Sequence, residues 1–186
     1  MHEIKYPIII SFMGVDGSGK TTLAKKINKI FANSKYLHLK PYILIKDKRT
    51  KIKNPHKHRK NVFIISLINL VSWLVSYKIF FLKNTNEKLY IFDRFAHDIL
   101  IDPLRYKHSL PLKLTKIILN FFPKPDLWIF TKASFKKIKS RKSELSDSEL
   151  KRQMKDYSTF FKNKKNVLRL NTSIESKILI KILIKK

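Results

Sequence analysis

Residues 14–22 read Gly-Val-Asp-Gly-Ser-Gly-Lys-Thr-Thr, and the fold of the whole chain turns on them. The stretch fits the pattern G-x-x-x-x-G-K-[ST], ending on Lys20 and Thr21. The chain has 186 residues and three glycines, and all three (Gly14, Gly17 and Gly19) lie here. A sequence that uses glycine nowhere else keeps it where backbone must come close to a ligand. Upstream, residues 6–13 form a short apolar run with β-branched members, which predicts a buried parallel strand. Downstream, residues 21–31 carry Leu23, Ile27 and Ile30 at helical spacing. Strand, glycine loop and helix in this order aim loop N–H groups and the positive end of a helix dipole at phosphate oxygens. The expected ligand is a nucleoside triphosphate. It is cradled by Gly14, Val15, Asp16, Gly17, Ser18, Gly19, Lys20, Thr21 and Thr22. Lys20 reaches the β- and γ-phosphates, and the Thr21 hydroxyl ligates Mg²⁺.

Composition bounds the rest. The length suits one domain, residues 1–186, with a real core. There is no cysteine, which removes disulfide and thiolate chemistry and fits a cytoplasmic setting. The N-terminal residues lack an apolar run ending in a small-residue cleavage site, so no secretory signal is expected. Lys and Arg number 41 against 13 acids, a net charge of +28. Lys, Ile, Asn and Phe are all abundant, as an A+T-rich coding sequence would give; the functional alternatives are peripheral contact with an anionic membrane, a nucleic acid, or polyanionic substrates. The densest basic stretch, residues 46–60, has no interleaved aromatic side chains for base stacking, so nucleic acid is not the expected partner.

Further along, residues 36–45 read as a second strand interrupted by Pro41. Residues 61–82 are long and apolar enough to suggest a membrane span. Two arguments favour a core helix instead. Asn69, Ser72, Ser76 and Lys83 fall on one narrow helical face, as on a largely buried helix. A span would also separate the glycine loop from the next motif, Lys-Leu-Tyr-Ile-Phe-Asp-Arg at 88–94, with which it must share a phosphate. There, residues 89–92 read as a strand that delivers Asp93 to its C-terminal end, the rim where open α/β sheets bind ligands. An acid at that place holds Mg²⁺ or takes an acceptor proton. Arg94 beside it can neutralise a phosphoryl group in transfer. Residues 95–106 bring His97, Asp98, Asp102 and Arg105 towards the same rim, with His97 read as structural.

Residues 111–122 read as a helix, Pro123 and Pro125 as a break, and residues 127–131 as a fourth strand. Residues 134–161 turn polar and helical with a break at 143–148, as a basic lid over a triphosphate would. Arg141 is the leading lid arginine, with Lys142 and Arg152 as alternates. Residues 167–170 read as a fifth strand and residues 174–186 as a final helix.

The glycine loop, the Asp93–Arg94 strand end and the basic lid together resemble the thymidylate-kinase-like group of nucleoside monophosphate kinases, over most of the chain and in order. The resemblance implies a P-loop α/β fold, a parallel sheet of about five strands with helices on both faces and a helical lid. It implies an ATP- and Mg²⁺-dependent kinase. Asp16 would contact the acceptor's sugar hydroxyl, Asp93 and Arg94 would stand between donor and acceptor, and Arg141 would cover the transferred phosphoryl. Tyr157 matches a tyrosine that often follows the lid in that group. The chain departs from thymidylate kinases proper in two places. No glycine remains for a Glu-Pro-Gly-Gly segment after the second strand, and no glutamine follows Asp93–Arg94 where a thymine ring would be read. It is similar in this to a divergent branch often linked to surface glycans or lipids. The expected acceptor is a dTMP-like nucleotide or a sugar, lipid or glycan group, met by Asp16, Asp98, Asp102 and Arg105. The catalytic set is Lys20, Asp93, Arg94 and Arg141, with Thr21 and Asp93 at the metal. A homodimer is compatible with this reading. The competing reading is a non-kinase P-loop ATPase, or a nucleotide-gated module, acting on a polyanion.

Overall fold

The computed structural model describes residues 8–39, 62–83, 89–142 and 145–172. The basic stretch 46–60 and the predicted final helix 174–186 lie outside them. Five parallel strands make one sheet: β1 Ile8–Met13, β2 Ser34–His38, β3 Leu89–Asp93, β4 Leu127–Lys132 and β5 Val167–Asn171, in the order β2-β3-β1-β4-β5. Between them run α1 Lys20–Ile30, α2 Phe63–Lys83, a 3₁₀ turn Ala96–Leu100, α3 Leu112–Leu119, α4 Phe135–Arg141 and α5 Asp147–Lys162.

Period-two alternation sorts the strand side chains onto two faces. Ile10, Phe12, Ile91 and Ile129 pack with Leu23, Ala24 and Ile27 of α1. Ile9, Met13, Tyr90, Phe92 and Phe130 pack on the opposite face with α2, α3 and α5. That second layer is rich in rings. Tyr77 of α2 lies 5.0–5.6 Å, centroid to centroid, from Phe92, Phe95 and Phe122. Such pairs add about 0.5–1.5 kcal/mol each beyond their buried area.

Register sets the rim. Phe12 of β1 and His38 of β2 both stand opposite Asp93, so the ends of β1, β2 and β3 meet where the glycine loop leaves β1. Strand β2 begins two residues before the expected 36–45, and residues 40–45 of that expectation are outside the described residues. Helix α3 is shorter than the expected 111–122, because Pro111 precedes it and the chain turns before Pro123.

The reading of residues 61–82 needs a correction. Helix α2 is a crossover, since the strands it joins, β2 and β3, are neighbours in one sheet. It is not largely buried, however: only 33% of its most apolar window is covered. Leu70, Trp73, Tyr77 and Phe80 face the sheet, and Ser76 is buried with them rather than lying on an outer polar face. The exposed side is itself apolar.

With glycine confined to one loop, other residues take the left-handed turns. Leu39, Arg94, Lys107 and Asn166 have φ of 62°, 74°, 51° and 56°.

Candidate active site

The loop between β1 and α1 is shaped by its own residues and by the end of β4. A Cβ on Gly14 would come within 2.5 Å of the Thr131 carbonyl oxygen and hydroxyl, so only glycine lets the loop pass the end of β4. Gly19 caps α1 with φ 88°, a left-handed conformation that frees the first helical N–H groups to point outward. The Val15 side chain is buried, and its carbonyl accepts from Ser18 N at 3.0 Å. The Ser18 hydroxyl is spent on Thr131 Oγ1 at 2.7 Å, so these two residues build the loop with their side chains. Gly17, Gly19, Lys20, Thr21, Thr22 and Arg141 line a cleft of ≈ 550 Å³ together with Asp16.

Four charges gather at its inner end. Lys20 is buried, with Nζ 2.8 Å from Asp16 Oδ1. Arg94 and Arg105 both donate to the Asp16 carboxylate. Burial would raise the Asp16 carboxyl, but Arg94, Lys20 and Arg105 overcome it and hold it well below the usual carboxylate range. Burial, followed by Arg94, lowers the Lys20 ammonium from its ordinary value, while Asp16 and Asp93 pull it back up. Asp16 thus stands where three cations would otherwise face one another.

Asp93, at the end of β3, is buried with its Oδ2 crowded. Thr21 Oγ1 donates to it at 2.6 Å, Tyr36 Oη donates at 3.0 Å, and His38 Nδ1 lies 3.5 Å away. Burial pushes this carboxyl up, but the His38 hydrogen bond, Lys20 and Thr21 bring it down to about 2. Its other oxygen, Oδ1, is buried with no hydrogen-bond partner. A buried carboxylate oxygen without a donor suits a hard cation, and the Thr21 hydroxyl, held on the carboxylate's other oxygen, could supply a second ligand. Among the described residues no cluster of three His, Cys, Asp or Glu makes a self-sufficient metal site. Magnesium bound with a nucleotide needs none, since phosphate and water supply its other ligands.

Arg94 follows in the left-handed region, which is unusual for a long side chain. Its backbone N–H is fixed by Phe12 O at 2.9 Å. Its guanidinium is 3% exposed and bridges Asp16 and Asp98, with Tyr157 Oη 3.2 Å away. Asp98 also accepts from Tyr106 Oη at 2.6 Å and from Tyr157 Oη. Asp98 is fully buried behind Arg94, so the structure makes it a holder of that arginine rather than a cleft residue. Asp102 does the same for Arg105, whose Nε lies 3.0 Å from Asp102 Oδ2.

Arg141, at the end of α4, reaches across to donate to the Gly17 carbonyl at 3.0 Å. Lys142 lines the same cleft. The other alternate, Arg152, does not. It is bound to Glu149 and Asp156 at 2.6 Å each and to the Ile101 carbonyl at 3.2 Å. His97 sits among the rings of Phe95, Trp128 and Phe160, as a structural histidine should. Burial, with Lys164 and Lys124 nearby, lowers it to about 4. The residues that sequence reasoning missed are Tyr36 and His38 on Asp93, Tyr106 on Asp98, and Lys26 and Thr172 on the cleft wall. A usable signal existed for His38, because every strand of a parallel sheet ends at the ligand rim.

No family model and no curated protein matches the chain. Solved structures do. The chain is similar to thymidylate kinase from Candida albicans, with TM-score 0.65 and 15% identity over 97% of this chain and 92% of that one. It is similar to deoxyadenosine kinase from M. mycoides, solved with the products dCMP and dCDP, with TM-score 0.64 and 19% identity over 96% and 97%. Thymidylate kinase from Ehrlichia chaffeensis gives TM-score 0.61 and 18% identity over 96% and 99%. Identity at this level speaks for architecture. With its five-stranded parallel sheet, its glycine loop and its flanking helices, the chain has the three-layer α/β P-loop fold that thymidylate kinase and deoxyadenosine kinase share.

Proposed function

We propose that the chain is an ATP- and Mg²⁺-dependent phosphotransferase that moves the γ-phosphoryl group to a small acceptor. The observation that carries this reading is the convergence of Lys20, Asp16, Arg94 and Arg105 at the inner end of the glycine-loop cleft, with Arg141 crossing from α4. A bare ATP-binding module needs the loop and Lys20. It does not need two further buried guanidinium groups held on the loop's acid.

In this reading the loop N–H groups and Lys20 bind the β- and γ-phosphates, Lys20 exchanging its Asp16 partner for phosphate oxygen. Thr21 and Asp93 hold Mg²⁺, which when bound offsets phosphate charge. Arg94, kept in place by Asp98 and Tyr157, faces the phosphoryl group from the acceptor side. Arg141 faces it from the lid. Transfer of this kind asks the protein for position and compensating charge more than for covalent chemistry. Asp16 orients an acceptor hydroxyl. Two arginines beside that acid favour an acceptor already carrying a phosphate, such as a nucleoside monophosphate or a sugar phosphate, over a neutral alcohol.

The deciding experiment measures ADP release from Mg-ATP by the purified chain, with and without dTMP, alongside Lys20→Ala. A dTMP-dependent rate that Lys20→Ala abolishes supports a nucleotide kinase. A rate that needs other phosphorylated acceptors supports the divergent branch. Hydrolysis stimulated by nucleic acid or anionic vesicles with no phosphorylated product favours the ATPase reading. Turnover that survives Lys20→Ala sinks both.

A further inference from the structure

A cavity of ≈ 780 Å³ opens at the end of the sheet where the strands begin, between the last turns of α3 and α5 and the start of β4. Asp126 marks its level. The Asp126 backbone N–H donates to the Ile9 carbonyl at 2.9 Å, and its carboxylate accepts from Ile9 N at 2.7 Å. Ile9 stands near the start of β1, about 13 Å along the strand from Met13, where the glycine loop begins. No residue lining this cavity also lines the glycine-loop cleft.

The two cavities differ in how their cations are matched. In the cleft, Lys20, Arg94 and Arg105 each have the Asp16 carboxylate beside them. Here Lys116, Lys124, Lys164 and Lys165 share the lining with a single acid, Asp126, whose carboxylate already serves Ile9. Burial, followed by Lys124, lowers the Lys164 ammonium from its ordinary value. Lys164 Nζ lies over rings, 4.5 Å from the Phe160 centroid and 5.3 Å from that of Trp128. A ring face is a weaker partner for an ammonium than a phosphate oxygen.

The floor is aromatic. Trp128 meets His97 and Phe160 edge-on, at 5.3 and 6.0 Å between centroids. His97 and Phe160 are half-buried. His97 Nδ1 is buried with no hydrogen-bond partner, a polar atom of the kind that a bound ligand or ordered water satisfies.

We propose that this cavity is a second binding site, for a small molecule that joins a flat ring to phosphate, as a nucleotide does. The ring would lie against Phe160 and His97, and the phosphates among the four lysines, where an anion relieves the repulsion between Lys124 and Lys164. Size favours a ligand larger than a bare anion, since cavities of about 300–1,000 Å³ with aromatic linings and a few placed polar groups take whole organic ligands. A nucleic-acid strand fits less well. It stacks successive bases on open rings, and Trp128 is 5% exposed. The site stands apart from the glycine loop and does not rest on the phosphotransferase reading.

The test is equilibrium dialysis of the full chain against labelled ADP, with Lys124→Glu/Lys164→Glu as the variant of the second cavity. Lys124 is exposed and Lys164 half-buried, so the variant should fold, which circular dichroism checks; Lys124→Gln/Lys164→Gln is the milder form. The expected result is two ADP per wild-type chain. The charge variant should keep one of them and bind the other at least about 10-fold more weakly. The sequence has two tryptophans, so in Trp73→Phe the emission of Trp128 reports the cavity alone. ADP should shift that emission, and should cease to shift it at the same concentration once the two lysines are replaced as well. One ADP per wild-type chain overturns the proposal, as does a second ADP that the charge variant retains unweakened. Inorganic pyrophosphate acting on Trp128 as tightly as ADP assigns the cavity to a bare anion and overturns the nucleotide assignment. Binding to phosphatidylglycerol vesicles that needs the two lysines, with no second ADP, assigns the face to a membrane surface and overturns it as well.

Discussion

Asp93 concentrates the chemistry of the rim in one carboxylate, and its environment makes a pH prediction. Its pKa in the fold, about 2, lies below the ordinary aspartate value of about 3.9. A depressed acid adds stability that is fully present above its unfolded value and is lost as pH falls through its folded value. The increment is on the order of 2 kcal/mol, lost between about pH 4 and pH 2. Urea unfolding of the wild type and Asp93→Asn at pH 7 and pH 2.5 reads it. The gap between the two proteins should narrow at the lower pH. Arg94 sets a second expectation. Arg94→Ala leaves Asp98 with a buried, uncompensated charge, a loss of about 3–5 kcal/mol, while Asp16 keeps Lys20 and Arg105. Tyr157→Phe removes one hydroxyl donor from Asp98 and should cost about 1–2 kcal/mol while leaving Arg94 in place. Lys20→Ala should keep the fold and lower ATP turnover by about 10²–10³-fold, read by steady-state ADP release. At this scale the sequence was informative wherever a motif sat at a strand end. Lys20, Thr21, Asp93 and Arg94 were all legible, because an apolar run followed by a polar pair marks the rim. Tyr36 and His38 lay inside the expected strand 36–45 but were missed, because its end was read well past His38, the residue that reaches the rim.

The elements follow from local patterns more closely than from overall hydrophobicity. The basic segment expected at 134–161 divides into α4 and α5 where the sequence Ser-Glu-Leu-Ser-Asp-Ser placed a break. Each half starts on a serine: the Ser134 hydroxyl accepts from Lys137 N and the Ser146 hydroxyl from Glu149 N. Ser146→Ala should destabilise by about 1 kcal/mol, measured by thermal or urea unfolding. Helix α2 shows where pattern reading stops. Its polar positions, Asn69, Ser72, Ser76 and Lys83, do cluster on one side. Yet that strip lies between two apolar seams, and composition alone cannot say which seam meets the sheet. The ring of Tyr77 decides it, surrounded by Phe92, Phe95 and Phe122, which come from other parts of the chain. Contacts of that range are invisible in a linear reading. The glycine loop was legible for the opposite reason, since everything it does is local. Gly14→Ala should be among the most damaging single-methyl changes in the protein, for the added carbon meets the Thr131 backbone rather than a movable side chain.

For the molecule as a whole, charge is the dominant departure from an ordinary domain. A net +28 on 186 residues opposes compaction, so added salt should raise the unfolding temperature, read by calorimetry between 0.05 and 0.5 M NaCl. The cleft behaves differently. Its buried cations, Lys20, Arg94 and Arg105, are each paired with Asp16, Asp98 or Asp102, so salt should affect them less than the exposed charges.

The thrift with glycine leaves one more mark. Lys107 and Asn166, neither of them in the cleft lining, also turn in the left-handed region. An L-residue there gives up about 1 kcal/mol, less for asparagine than for lysine. The protein therefore carries a reserve that an engineer could release. Lys107→Gly should raise thermal stability, Asn166→Gly should raise it less, and both should leave phosphate chemistry alone. Glycine at position 94 would relieve the same backbone tension and take the arginine with it.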